Sequence, residues 1–76
     1  MTITVKLFAQ YREERFKAEV RQYPKGTKAI DIIKELGIDQ KAQPLGVLLV
    51  NGRHQEESVE LKEGDVLSLF PKVGGG

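Results

Sequence analysis

YPKGTKAIDIIKELGI, residues 23–38, is the stretch that decides the fold. Pro24 and Gly26 stand where a type I turn takes them, so an extended segment ends here. Thr27 follows at the position where a side-chain oxygen satisfies the free N–H groups of a helix, and Gly37 supplies the left-handed residue that closes one. The spacing predicts a short helix over residues 27–36. Ala29, Ile30, Ile32, Ile33 and Leu36 give it a broad apolar face, while Lys28, Asp31, Lys34 and Glu35 face water. Ile38, just past Gly37, fits the hydrophobic contact of a Schellman end.

Strands surround this helix. Residues 2–8 alternate, with Ile3, Val5 and Leu7 on one side and Thr2, Thr4, Lys6 and Phe8 on the other. Residues 16–23 alternate again, with Phe16, Ala18 and Val20 in phase. Residues 10–15 between them are short and charged and read as a loop or a single helical turn with a wet surface. Residues 46–50 are a continuous apolar run ended by Asn51-Gly52, a strong hairpin signal, which predicts a third strand, a tight turn and a brief fourth strand. Val59 and Leu61 form a small anchor before the turn at Glu63-Gly64-Asp65. Residues 66–70 are the last strand, with Leu67 and Leu69 on one face and Val66, Ser68 and Phe70 on the other. Pro71 stops it, because proline has no N–H to give a ladder.

Two strands, a helix and further strands make an α+β chain in which the helix covers one face of a sheet and the last strand pairs with the first. This is the layout of a β-grasp (ubiquitin-like) roll: a mixed four- to five-stranded sheet packed on one main helix. Residues 1–70 are expected to form that domain and residues 71–76 a flexible C-terminal tail ending in Gly-Gly-Gly.

Composition narrows the function. Seventy-six residues hold one core, and a domain of this size buries only about 60% of its unfolded surface. The chain has no cysteine and one histidine, which excludes disulfides, thiolate catalysis and Cys- or His-rich metal sites. Lys plus Arg is 12 and Asp plus Glu 11, a net charge of +1, so no basic field exists to grip a phosphate backbone and no nucleic acid is expected as a partner. No apolar run approaches a membrane span and no leader pattern is present; no membrane partner and a cytoplasmic location are the expectation.

Conventional catalytic groups are scarce. His54 follows Asn51-Gly52-Arg53 in a polar hairpin and reads as a solvated surface histidine. Glu56, Glu57 and Glu60 read as a wet loop, and the final glycines lack the lysine and helix of a P-loop. The remaining group is the carboxylate of Gly76. Six residues after Phe70 reach about 20 Å at roughly 3.3 Å each, enough to enter another protein's active site. Glycine has no Cβ and lets backbone pass a narrow channel. An ionised carboxylate resists nucleophiles and needs activation. ATP supplies it by forming an acyl-adenylate, after which sulfur attack leaves a thiocarboxylate that donates its sulfur.

Phe8-Ala9-Gln10-Tyr11-Arg12-Glu13 resembles the Phe-Ala-x-x-Arg-Glu segment of molybdopterin synthase small subunits. Phe70-Pro71-Lys72-Val73-Gly74-Gly75-Gly76 resembles their Phe-Pro-Pro-Val-x-Gly-Gly ending, and Val50-Asn51-Gly52 and Leu61-Lys62-Glu63-Gly64-Asp65 fall where that group has its hairpin and last turn. Over its whole length the chain is similar to the MoaD/ThiS family of ubiquitin-like sulfur carriers. The resemblance implies a carrier without a catalytic residue, metal or bound cofactor, whose Gly76 becomes the glycyl adenylate and thiocarboxylate. Gly75, Gly74, Val73 and Pro71 would thread the tail, and Phe8, Val66 and Phe70 would form the partner surface. It also implies an adenylating, ubiquitin-activating-like enzyme that uses ATP, and a sulfur donor such as a cysteine desulfurase or rhodanese. The acceptor would be the large subunit of molybdopterin synthase or a thiazole synthase. Phe8–Glu13 and Phe70-Pro71 favour the molybdopterin side. Lys72 in place of the second proline, together with the Val-Gly-Gly-Gly ending, keeps a thiamine-thiazole or other sulfur pathway open. A ubiquitin-like protein modifier would use the same adenylate but end in an isopeptide bond. A non-catalytic β-grasp interaction module would not need the glycine terminus.

Overall fold

The computed structural model describes residues 1–73. Gly74, Gly75 and Gly76, which carry the expected modified terminus and part of the expected threading segment, lie outside the described residues. Strand β1 (Thr2–Leu7) leads through a 3₁₀ turn (Ala9–Arg12) to β2 (Ala18–Gln22) and helix α1 (Ala29–Glu35). Then come β3 (Leu45–Val50), the short β4 (Arg53–His54) and β5 (Val66–Pro71). The five strands form one sheet in the order β2-β1-β5-β3-β4. All neighbours are antiparallel except β1 and β5, which run parallel from Thr4↔Val66 to Leu7↔Leu69. A mixed sheet with one covering α-helix is the β-grasp fold. Among the described residues no helix is long and apolar enough to cross a membrane.

The core lies between α1 and one face of the sheet. Ile3, Val5 and Leu7 of β1, Leu67 and Leu69 of β5, and Leu48 and Val50 of β3 meet Ala29, Ile32 and Ile33 of α1, all buried. Period-two alternation puts these strand residues on one face, and the register lines them up as Val5↔Leu67, Leu7↔Leu69 and Leu48↔Leu69. Gly37 adopts φ 72°, and the Ile38 and Gly37 amides donate to the Ile33 and Lys34 carbonyls, which completes the Schellman end. Asn51 and Gly52 both have positive φ, as a two-residue hairpin of this kind requires. The Asn51 side chain also ties that turn to β5, accepting from the Val66 amide and donating to Asp65 at 2.9 Å each.

The helix starts later than the sequence predicts. Lys28, not Thr27, is its N-cap residue, and no side-chain oxygen caps it. Thr27 Oγ1 instead donates to the Pro24 carbonyl at 2.8 Å. The free amides of the first turn find backbone partners across the fold: Ala29 donates to the Val59 carbonyl at 3.0 Å and Ile30 to Glu57 at 2.8 Å. A tertiary contact thus does the work assigned to a local cap. Asp31 completes the turn by accepting from the Lys28 amide at 2.9 Å.

Residues 10–15 are more than a wet loop. Tyr11 is fully buried and its hydroxyl donates to the Gln43 carbonyl at 2.8 Å. Arg12 Nε donates to the Leu7 carbonyl at 2.7 Å, and Arg15 Nε donates to the Leu36 carbonyl at 3.1 Å, binding the segment to the end of α1. In β2, the apolar phase points away from the helix: Val20 stands opposite Thr4 and is 64% exposed. Glu19 and Arg21, opposite Val5 and Ile3, occupy the helix side, where Arg21 pairs with Glu35 at 3.3 Å. On this edge strand the helix side is met by the Arg21–Glu35 ion pair and not by an apolar layer. Finally, β5 runs through Pro71, which the sequence pattern assigns to the tail, and Pro71 is buried opposite Leu45. Proline is tolerated there because the β1 ladder has ended at Leu69 and the β3 register shifts between Leu45 and Val47.

Leu69→Ala is expected to lower stability by about 2–5 kcal/mol through the cavity it leaves under α1, read from a denaturant midpoint. Stability should also fall in alkali. Burial pushes the Tyr11 hydroxyl above its ordinary range, and burial followed by the hydrogen bond to Glu35 does the same for Tyr23. The folded state therefore holds these protons more tightly than the unfolded chain. Their stabilisation is complete below the unfolded value of about 10 and is lost as pH rises through the folded values. A Tyr11→Phe, Tyr23→Phe double variant should show a flatter loss of denaturant midpoint above about pH 10.

Candidate functional site

The sheet has a second face, turned away from α1. In β1 and β5 the residues out of phase with the core occupy it, among them Phe8, just past β1, and Val66 and Phe70 of β5, all half-buried. Parallel pairing of the two strands brings the expected surface residues Phe8 and Phe70 together. Their rings stack with centroids 4.0 Å apart and an interplanar angle of 10°. The Arg12 guanidinium lies 5.1 Å from the Phe8 ring centre, within the range of a cation–π contact. The Phe8 amide donates to the Leu69 carbonyl at 3.2 Å, which holds this ring beside the end of β5. Val66 lies on the same face near the start of β5, opposite Thr4.

Next to Phe70 the face opens into a groove of about 410 Å³, lined chiefly by Val47, Leu49, His54, Phe70, Lys72 and Val73. Val47 pairs with Phe70, Leu49 with Ser68, and His54 with Leu49, so antiparallel register alone collects them on one side. Val47 and Leu49 are absent from the residues singled out in the sequence. The signal was the unbroken apolar run of residues 46–50: a strand covered by a helix on one face has reason to be apolar on both only if something else meets the other. His54 is exposed.

The tail leaves along this groove. Pro71 is buried and belongs to the sheet rather than to the threading segment, while Val73 is 88% exposed. The groove supplies apolar contact and a bend of backbone near the chain's end, and it positions no side-chain nucleophile. What it can do is hold the body of this chain against a protein surface.

A family model described as the ThiS family matches residues 5–76. The chain belongs to the ThiS family. Among solved structures, a putative molybdopterin converting factor, subunit 1, from Pyrococcus furiosus is 30% identical. It superposes with a TM-score of 0.77, covering 96% of this chain and 99% of that one. SAMP1 from Haloferax volcanii (22% identity, TM-score 0.74) is matched over the full length of both chains. So is the complex of subunit 1 and 2 of molybdopterin-converting factor from Helicobacter pylori 26695 (23%, TM-score 0.64). These two are similar in fold alone. A comparison with curated proteins gave no match.

Phe8→Ala is expected to weaken binding of a protein partner to this face by about 1–2 kcal/mol, as for an aromatic anchor at an interface. Loss of one exposed aromatic stack should change folding stability by no more than about 1.5 kcal/mol. Titration calorimetry beside thermal melting checks both. A large fall in melting temperature with unchanged affinity would return Phe8 to the core.

Proposed function

We propose that this chain is a sulfur carrier whose C-terminal Gly76 is adenylated and then converted to a thiocarboxylate that donates sulfur in molybdopterin synthesis. The observation that carries the reading is that the ThiS-family match runs through the final glycines to residue 76, on a body whose last strand ends beside an apolar groove. In the first step a carboxylate oxygen of Gly76 attacks the α-phosphorus of ATP, and pyrophosphate leaves. In the second, hydrosulfide, or sulfur delivered at that oxidation level, attacks the acyl carbon. The bond to AMP breaks, AMP leaves, and one terminal oxygen has become sulfur. ATP binds to the activating enzyme, and this chain requires no cofactor of its own. The sulfur originates from a donor such as a cysteine desulfurase or rhodanese, whose persulfide reaches the hydrosulfide level when a thiol supplies two electrons and leaves as a disulfide.

The large subunit of molybdopterin synthase is the proposed acceptor. Support comes from the Pyrococcus furiosus relative, described as a molybdopterin converting factor subunit, and from the Helicobacter pylori structure, described as a complex of subunits 1 and 2. Phe8, Val66 and Phe70, joined by Val47 and Leu49, would be the face that meets these partners, and Val73 to Gly75 would lead Gly76 into their active sites. Lys72 in place of a second proline and the Val73-Gly74-Gly75-Gly76 ending favour a second reading, a carrier for thiamine thiazole with thiazole synthase as acceptor. Separate incubation of the thiocarboxylated chain with each acceptor and its precursor distinguishes the two by which one consumes the sulfur.

The central test is intact mass after incubation with activating enzyme, ATP and sulfide, read as exchange of one oxygen for sulfur. Deleting Gly76 shortens the reach by about 3.3 Å and should lower the rate at least 10²-fold, since misplacement of about 1 Å is enough for that. A residue added after Gly76, or Gly75→Val, should also abolish conversion while leaving the melting temperature unchanged. Sulfur gain at the wild-type rate by the extended, uncleaved chain would overturn the carrier reading in favour of a plain interaction module.

A further inference from the structure

Gly46 occupies the bulge in β3, where the register shifts between Leu45 and Val47. A Cβ at this position would lie 2.7 Å from Lys72 Cα, 2.9 Å from Lys72 N and 3.0 Å from the Pro71 carbonyl oxygen. All three are backbone atoms, which cannot swing aside as the tip of a side chain can. Gly46 is not among the glycines with positive φ, so the position calls for room rather than for an unusual conformation. The close approach closes a contact: the Lys72 amide donates to the Pro44 carbonyl at 2.7 Å, one residue past the last strand pair. Beyond it, Val73 is 88% exposed.

We propose that Gly46 is a positioning residue for the C-terminal glycine: by letting the start of β3 close on Lys72, it fixes the point from which the reactive end of the chain extends. The proposal rests on the sulfur-carrier reading. Gly76 follows Lys72 by four residues and Phe70 by six. With the chain held at Lys72, the end of Gly76 is confined within about 14 Å of that point, at roughly 3.5 Å per residue. A side chain at position 46 would press on the Pro71 carbonyl as well as on Lys72; with the Leu45↔Pro71 pair lost too, the last fixed position would be Phe70, paired with Val47, and the radius would grow to about 21 Å. Volume scales with the cube of the radius, so the space searched by the carboxylate rises about threefold before any loss of direction is counted. Loss of direction adds to this, because reactive groups misplaced by about 1 Å react up to about 10²-fold more slowly. Opening the clamp moves the Lys72 and Val73 end of the groove, while the proposed partner residues Val66, Phe70, Val47 and Leu49 keep their strand pairing. The defect should therefore appear in the rate within the complex and not in its formation.

The experiment uses the full chain carrying Gly46→Ala, with activating enzyme, ATP and sulfide, and reads thiocarboxylate formation by mass at varied carrier concentration. The expected result is a kcat lowered by between about threefold and 10²-fold with KM within about twofold of wild type. Hydrogen exchange read by NMR should show the Lys72 amide losing protection, while the Asn51 and Leu61 amides, bonded to Val66 and Thr27, keep theirs. An unprotected Lys72 amide with unchanged kcat overturns the proposal. So does a rise in KM with a fall in melting temperature that accounts for the loss, since that is a merely structural role. If Gly46→Ala does not fold, an ester in place of the 71–72 peptide bond removes the Lys72 donor while Gly46 stays. Lowered kcat at constant KM then supports the clamp, and unchanged kcat overturns it. Failure of the wild-type chain to gain sulfur is a separate result, which sinks the carrier reading and this proposal with it.

Discussion

Everything in this molecule hangs on the parallel pairing of its first and last strands. β1 and β5 lie side by side at the centre of the sheet, Thr4 against Val66 through Leu7 against Leu69. A parallel pair cannot be joined by a tight turn, so the intervening chain must travel away and return. β2 and α1 on one side and β3 and β4 on the other are what it forms on the way. The pair sorts side chains in one step. Leu7 and Leu69 go beneath α1 and are fully buried, while Phe8 and Phe70 go to the opposite face and stack. The core and the candidate partner surface are therefore two consequences of one register, and a slip of one residue would exchange them.

The same arrangement bears on the proposed carrier function, which asks for no cysteine and no catalytic pair in this chain. The central strand β5 is held on both sides by hydrogen-bonded ladders, and its far end passes directly into the residues that lead to Gly76. The Lys72 amide bonds to the Pro44 carbonyl one residue past the last strand pair. Holding a reactive end near a fixed point on a docked body is an entropic device, and it needs no side-chain acid or base.

How the ends of α1 are satisfied shows why local reading succeeds at one terminus and fails at the other. At the C-terminus, Gly37 and Ile38 carry out a motif whose every bond lies within six residues, so the sequence spells it out. At the N-terminus the donors of Ala29 and Ile30 meet carbonyls of Val59 and Glu57, nearly thirty residues on. Thr27 looks like a cap in isolation, but its hydroxyl is already committed to Pro24. The same distinction separates Tyr11 from the other residues of its loop. A tyrosine among charged neighbours gives no periodic sign of burial, and only the approach of the Gln43 carbonyl closes the pocket around its hydroxyl.

The amino-acid sequence by itself determined the five strands and the helix, the inward phase of β1 and β5, the Asn51-Gly52 turn, and the placing of Phe8 and Phe70 on the face away from the helix. Each follows from a period, a glycine or a turn residue acting over a few positions. Tertiary structure decided the rest. It turned Val20 outward on an edge strand and drew Pro71 into the sheet. It gathered Val47, Leu49 and His54 beside the exit of the tail and set Gly46 against the backbone of Lys72. These depend on which strands become neighbours and how close their backbones come. Contacts between residues far apart in the chain leave no periodic trace within either segment, and only the folded sheet brings them within reach of one another.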